Sequence, residues 1–209
     1  MKLTGAYARH YKEERFRTFW GRRTMKKERK ALSALLELAS PLEGPWLDMP
    51  CGTGRLAGLL PRPVCCDLNP AMLRLLEPVR PAVRASGLAL PFRDGAFEGV
   101  LSIRFLPHLA DSSERIQALS EMARVSRRWV LVSFFHALSL QEARRKAKEV
   151  LFHRRRGRKS ITFRRFRGEA RAAGLQVRAV RPLARFLSEQ WLVLCRVGGS
   201  GSSGPEDGP

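Results

Sequence analysis

Hydrophobic and polar positions along the chain follow two alternating periods. Short apolar runs lie at 46–47, 64–66, 83–85, 100–103, 129–135, 175–180 and 191–197, each bounded by turn residues or charge. Such runs predict strands, and the unbroken stretch Trp129–Phe135 has the composition of a strand buried in a parallel sheet. Between them the spacing turns helical. Over Arg22–Leu38 the residues Leu32, Leu35 and Leu36, with Ala39 beyond, share one face and Arg and Lys the other; Ile116, Leu119 and Met122 do the same over Ser113–Val125. Shorter helical pieces are predicted at Arg55–Leu60, cut off by Pro61 and Pro63, at Met72–Leu76, and at Glu169–Ala173, closed by Gly174. Strands and helices that alternate, joined by right-handed crossovers, predict an α/β fold with one doubly wound, mostly parallel sheet of seven strands.

The totals narrow the setting. A length of 209 residues supports one domain with a full core. Cys51, Cys65, Cys66 and Cys195 form no C-x-x-C pair and have no histidines at zinc spacing, so neither a disulfide framework nor a metal site is predicted. The start of the chain is basic without an apolar core, and no run approaches the ~18 apolar residues of a spanning helix. A soluble, cytoplasmic protein with reduced thiols is the expectation, as monomer or homodimer. Charge is the outlier: 39 Lys and Arg against 19 Asp and Glu, formally +20. Such a field favours polyanions, either nucleic acid or an anionic membrane surface, with the Arg-rich segment 144–167 as the candidate contact. A simply basic, solvated surface is the plainer alternative.

The chemistry concentrates in Trp46–Arg55, which reads WLDMPCGTGR. An apolar start ends on Asp48, and a tight loop carrying Gly52 and Gly54 leads towards the next helix. Glycine lets the backbone turn sharply and brings main-chain N–H groups against a ligand. Strand, glycine loop and helix in this order make a nucleotide-cofactor site at the carboxyl end of the first strand. Gly52-x-Gly54-x-x-Ala57 also satisfies the dinucleotide fingerprint, but a diphosphate requires positive potential, and Asp48 stands close to where it would lie. A carboxylate there suits a sulfonium and an amino group, so the electrostatics favour S-adenosylmethionine. Asp67 closes the second strand roughly 20 residues beyond Asp48, where an acid can accept both ribose hydroxyls. Asn69 and Pro70 supply the cap and first position of the next helix, which is read as leaving Asp67 free for that task.

The run 46–55 resembles motif I of class I S-adenosylmethionine-dependent methyltransferases, in the variant where Pro50 replaces the first glycine. A second segment, SGLALPFRDGAFE over 86–98, resembles the D-A-x-x-L-P-F-x-D-x-S-F-D segment of methyltransferase domains of the ubiquinone/menaquinone-biosynthesis type. In that family the first acid touches the adenine amino group and the next apolar residue packs on the ring. Here Ser86 stands in the acid's place, a weaker acceptor, and Glu98 replaces the second Asp. The resemblance implies an antiparallel last strand, a substrate-binding insertion after strand five, and methyl transfer from S-adenosylmethionine. It implies cofactor contacts from Asp48, Pro50, Cys51, Gly52, Gly54 and Asp67, and from Leu68, Ser86, Gly87, Leu88 and Arg104. On the loop after strand four, which faces the methyl group in this fold, His108 is the candidate general base; a structural histidine at the strand end is an equal reading.

Three parts of the chain follow. Residues 1–40, with Tyr7, Tyr11, Phe16, Phe19 and Trp20 among basic residues, predict a helical lid, or else a nucleic-acid arm. Arg22 and Arg23 are placed either at the cofactor's methionine carboxylate or in solvent. Residues 41–197 form the methyltransferase domain with a basic insertion at 138–168, and 198–209 is a flexible tail. No Asn/Asp-Pro-Pro-Tyr/Phe motif follows strand four, which argues against methylation of adenine amines, and no Pro-Cys there serves pyrimidine C5. Three functions stay open: methylation of a small or lipidic acceptor, methylation of RNA, and a non-catalytic cofactor-binding module.

Overall fold

The computed structural model describes residues 19–139, 159–183 and 189–198. Helix α1 (Phe19–Leu38) precedes strand β1 (Trp46–Asp48). A single 3-10 turn at Ala57–Leu59 leads to β2 (Pro63–Asp67), followed by the short helix α2 (Pro70–Leu73) and β3 (Ala82–Arg84). Then come β4 (Phe97–Ser102), a 3-10 turn at Leu106–His108, α3 (Ser112–Val125) and β5 (Ser126–Phe135). Helix α4 (Phe163–Ala172), β6 (Leu175–Pro182) and β7 (Gln190–Val197) complete the described chain.

All seven strands form one sheet in the order β3-β2-β1-β4-β5-β7-β6. Strands β1 to β5 pair in parallel. Strand β7 runs antiparallel to both β5 and β6, as the family resemblance implies. Chain order reverses between β1 and β4, and in an open parallel sheet the crevice beyond the carboxyl ends at such a reversal is where ligands bind.

The apolar stripes explain the layers. Leu32, Leu35, Leu36 and Ala39 are buried together with Trp46, Leu101, Leu131, Leu192 and Leu194, so α1 covers one face of the sheet. The other face buries Leu47, Val100, Val130 and Val132 with Leu119 and Met122 of α3 and Phe166 and Ala170 of α4. Rings of Phe134 and Phe166 stack 4.7 Å apart.

Two helices depart from the sequence expectation. After the glycine loop, Arg55–Leu60 gives turns and the single 3-10 turn in place of the short helix expected, and Pro61 and Pro63 end it. Conversely, the turn or two expected at 169–173 is a ten-residue helix starting at Phe163 and capped by Thr162, whose hydroxyl accepts from the Arg165 N–H at 3.2 Å. Within it Glu169 is buried, taking Arg115 of α3 in a two-pronged ion pair (2.6 and 2.8 Å). Of the expected lid and basic insertion, residues 1–18 and 140–158 lie outside the described residues, as does 199–209 of the tail.

Candidate active site

The loop after β1 is tied down residue by residue. Met49 N–H donates to the Leu101 carbonyl at 2.9 Å, prolonging the β1–β4 pairing, and Cys51 N–H donates to the Cys66 carbonyl at 2.9 Å. Gly54 N–H closes the turn on the Cys51 carbonyl at 3.0 Å. Two glycines hold left-handed backbone, Gly52 at φ +55 and Gly54 at φ +73. They serve differently. A Cβ on Gly52 would meet nothing within 4 Å, in the space of a cavity that Gly52 lines. A Cβ on Gly54 would strike Leu76 at 2.6 Å, and Gly54 is absent from the cavity wall, so its part is to let the loop close.

That cavity has a volume of about 360 Å³ and opens at the carboxyl ends of β1, β2 and β4. Asp48, Pro50, Cys51 and Gly52 form its floor, with Asp67 and Leu68 from β2 and its following loop. Ser86, Gly87 and Leu88 also line it, as do Arg104 and His108. Every predicted site residue except Gly54 therefore meets at one place.

Asp48 is buried, and its Oδ2 has no hydrogen-bond partner. Burial, with the Cys65 thiol beside it, pushes its carboxyl well above the usual carboxylate range. A cationic group brought into the cavity would relieve that state. Asp67 is not the free acid expected from the sequence. Its Oδ2 accepts from Gly52 N–H at 2.9 Å and its Oδ1 from Asn69 N–H at 2.8 Å. Asn69 does cap α2, its side chain accepting from Ala71 N–H at 3.0 Å, yet its own N–H reaches back to Asp67. Asp67 thus welds the glycine loop to β2, and an ionised carboxylate of four lone-pair positions keeps capacity for ribose hydroxyls. Burial raises its carboxyl, while the two backbone donors oppose that. Ser86 Oγ accepts from Leu88 N–H at 3.2 Å, fixing the turn that presents Gly87 and Leu88 to the cavity.

Arg104 follows β4 with φ +66, a left-handed conformation uncommon for a non-glycine residue. Its N–H donates to Ser133 Oγ at 2.7 Å, and its guanidinium contacts Glu28 at 3.1 Å and Gln190 at 3.2 Å. Glu28 also holds Arg55, another cavity residue, at 2.5 Å. Neither Glu28 nor Arg55 was singled out from the sequence. Glu28 sits between Lys27 and Arg29 and reads as part of a solvated face; only its i, i+4 spacing to the buried Leu32 carried a signal. Arg22 and Arg23 are exposed and do not line the cavity.

His108 ends the 3-10 turn at the cavity rim and is exposed. Lys159 N–H donates to the Pro107 carbonyl at 2.7 Å, so the described end of the basic segment lies directly beside that turn. From there α4 turns Arg164, Arg165, Arg167 and Arg171 outward.

The fit to S-adenosylmethionine rests on these features: a buried acid lacking a partner, a glycine cradle that a side chain would fill, and a second acid at the end of β2. Comparisons agree. The methyltransferase domain family matches residues 47–134, from β1 through β5. A tRNA (carboxymethyluridine(34)-5-O)-methyltransferase of Xenopus tropicalis is 33% identical over 85 residues, which are 39% of this chain and 13% of that protein's length. Magnesium protoporphyrin IX methyltransferase from Synechocystis, solved with bound S-adenosylhomocysteine, superposes with a TM-score of 0.72 at 15% identity, covering 91% of this chain and 92% of that one. The PH0226 protein of Pyrococcus horikoshii gives 0.70 at 18% identity over 90% and 98%. Motif, cavity and family match thus coincide on the same strands: residues 47–134 carry a methyltransferase domain, on the fold shared with the solved S-adenosylmethionine-dependent methyltransferases.

Proposed function

We propose that the cavity at β1, β2 and β4 binds S-adenosylmethionine and that the chain transfers its methyl group to a small or lipidic acceptor entering beside His108. One observation carries the reading: the buried Asp48 carboxyl, unpartnered at Oδ2, shares a cavity with an exposed imidazole. Bound there, the cofactor supplies a methyl group on a sulfonium, already a good leaving group. The protein's work is placement and dryness, which can be worth ~7–11 kcal/mol. Asp48 stabilises positive charge, Asp67 and Gly52 hold the sugar end, and Ser86 with Leu88 frames the base. Where an acceptor must lose a proton, the imidazole of His108 at the cavity rim takes it. Ile103, Phe105, Leu109 and Phe135 make the neighbouring wall apolar, which supports an acceptor with an apolar body.

A second reading, RNA as acceptor, is favoured by the outward arginines of α4 next to the 106–108 turn and by the tRNA-modifying relative. Transfer of labelled methyl groups to fractionated lipid, metabolite and RNA pools tests both. Label entering the lipid or metabolite fraction, with little change between about 50 and about 200 mM salt, supports the first; label in RNA that falls steeply over that range supports the second. Cofactor binding with no transfer to any pool would leave a non-catalytic binding module.

A further inference from the structure

Among the described residues, Glu28 is the most deeply buried acid that the proposed chemistry does not use. It comes from α1 with none of its surface exposed. Its Oε2 accepts from Arg55 at 2.5 Å, its Oε1 from Arg104 at 3.1 Å and from the Gln190 amide at 2.7 Å. The Gln190 carbonyl oxygen accepts in turn from Arg104 Nε at 3.2 Å, and Arg29 of α1 donates to the Arg55 carbonyl at 3.0 Å. Four separate pieces of chain, α1, the turn after the glycine loop, the loop after β4 and the start of β7, thus meet at this carboxylate, and Arg55 and Arg104 among them line the cavity. Burial pushes the Glu28 carboxyl up, but Arg55 and Arg104 outweigh it and hold the acid below its usual range, so it stays ionised.

A carboxylate withdrawn from water survives only where partners satisfy it, and here the partners are the residues facing the cavity. Two guanidiniums side by side repel each other unless an acid bridges them. Bridged, their forks stay in place for a planar oxyanion.

We infer that Glu28 is a positioning residue: it holds Arg55 and Arg104 against the cavity wall so that the pair receives the carboxylate of the cofactor's amino-acid arm. This rests on the cavity being the cofactor site, and the test separates the two claims. Calorimetry compares S-adenosylhomocysteine, which carries that carboxylate, with 5′-methylthioadenosine, which keeps adenine, ribose and sulfur but lacks it. In Glu28→Gln the affinity for S-adenosylhomocysteine should fall roughly tenfold or more, as expected when a charged hydrogen bond loses its geometry, while that for methylthioadenosine stays within about twofold. Arg104→Met should give the same selective loss, which keeps the test open if the first variant does not fold. An equal loss for both ligands in both variants would make the cluster merely structural and overturn the inference, as would unchanged or tighter binding of S-adenosylhomocysteine. Wild-type protein that binds neither ligand removes the cofactor site itself instead.

Discussion

Asp48 is the residue on which binding and stability pull apart. Its carboxyl is buried without a partner at Oδ2 and sits well above the ordinary range, burial being the main cause. A carboxyl raised by folding costs stability once pH climbs above its unfolded value, and the cost is complete above the folded one. Asp48→Asn does not titrate. The ligand-free variant should therefore match wild type near about pH 4 and melt higher near about pH 8, while binding S-adenosylmethionine more weakly at the upper pH. Melting curves and titrations at both pH values check this; a variant less stable than wild type at pH 8 refutes the assignment. Asp67→Ala should weaken cofactor binding by ~1–3 kcal/mol, since hydroxyls lose a charged acceptor. The loop it holds through Gly52 should then exchange its amide hydrogens faster, which hydrogen exchange would detect. Both acids were legible in the sequence because motif spacing places them at strand ends. What Asp67 does with its oxygens was not, for the two N–H groups that reach it come from a loop fifteen residues away and from a turn whose own cap looked sufficient.

At the scale of elements, α3 and α4 are joined across a charge. Ser112 and Arg165 also donate to Glu169 Oε1, at 2.5 and 3.3 Å, so the acid is saturated by neighbours from both helices. Burial pushes Glu169 up, yet Arg115 and the other donors bring it below its usual range. The pair's stability is thus fully present above the ordinary carboxylate value and is lost as pH falls through the lowered one. Arg115→Met should cost ~3–5 kcal/mol by stranding a buried acid, whereas Arg115→Met with Glu169→Leu should recover most of it. Denaturant melts read both; equal losses in the single and double variants would contradict the argument. The sequence concealed this helix because Phe163-Arg-Arg-Phe166 resembles a nucleic-acid patch more than a helix start. The apolar stripe of α1, with no such conflict between charge and burial, was legible to within a few residues.

Across the whole molecule the strand order could be anticipated only through the family resemblance; alternating runs predict a doubly wound sheet without saying where β7 inserts. The net charge of +20 was plain from composition, but its placement was not. Among the described residues, one concentration faces outward on α4, reached from the cavity rim through Lys159. Replacing Arg164, Arg167 and Arg171 with Gln should leave S-adenosylhomocysteine affinity unchanged. If RNA is the acceptor, the same change should reduce the slope of log affinity for RNA against log salt by up to about 3. A filter-binding salt series measures that slope, and an unaltered slope would remove α4 from any polyanion contact.

Calorimetric titration of the wild-type chain and of Asp48→Asn and Asp67→Ala with S-adenosylhomocysteine tests the central claim most directly. Saturable heat at one site per chain, weakened in both variants, is the predicted result. No heat with wild type, or the same affinity in all three proteins, would contradict a cofactor site at the carboxyl ends of β1 and β2.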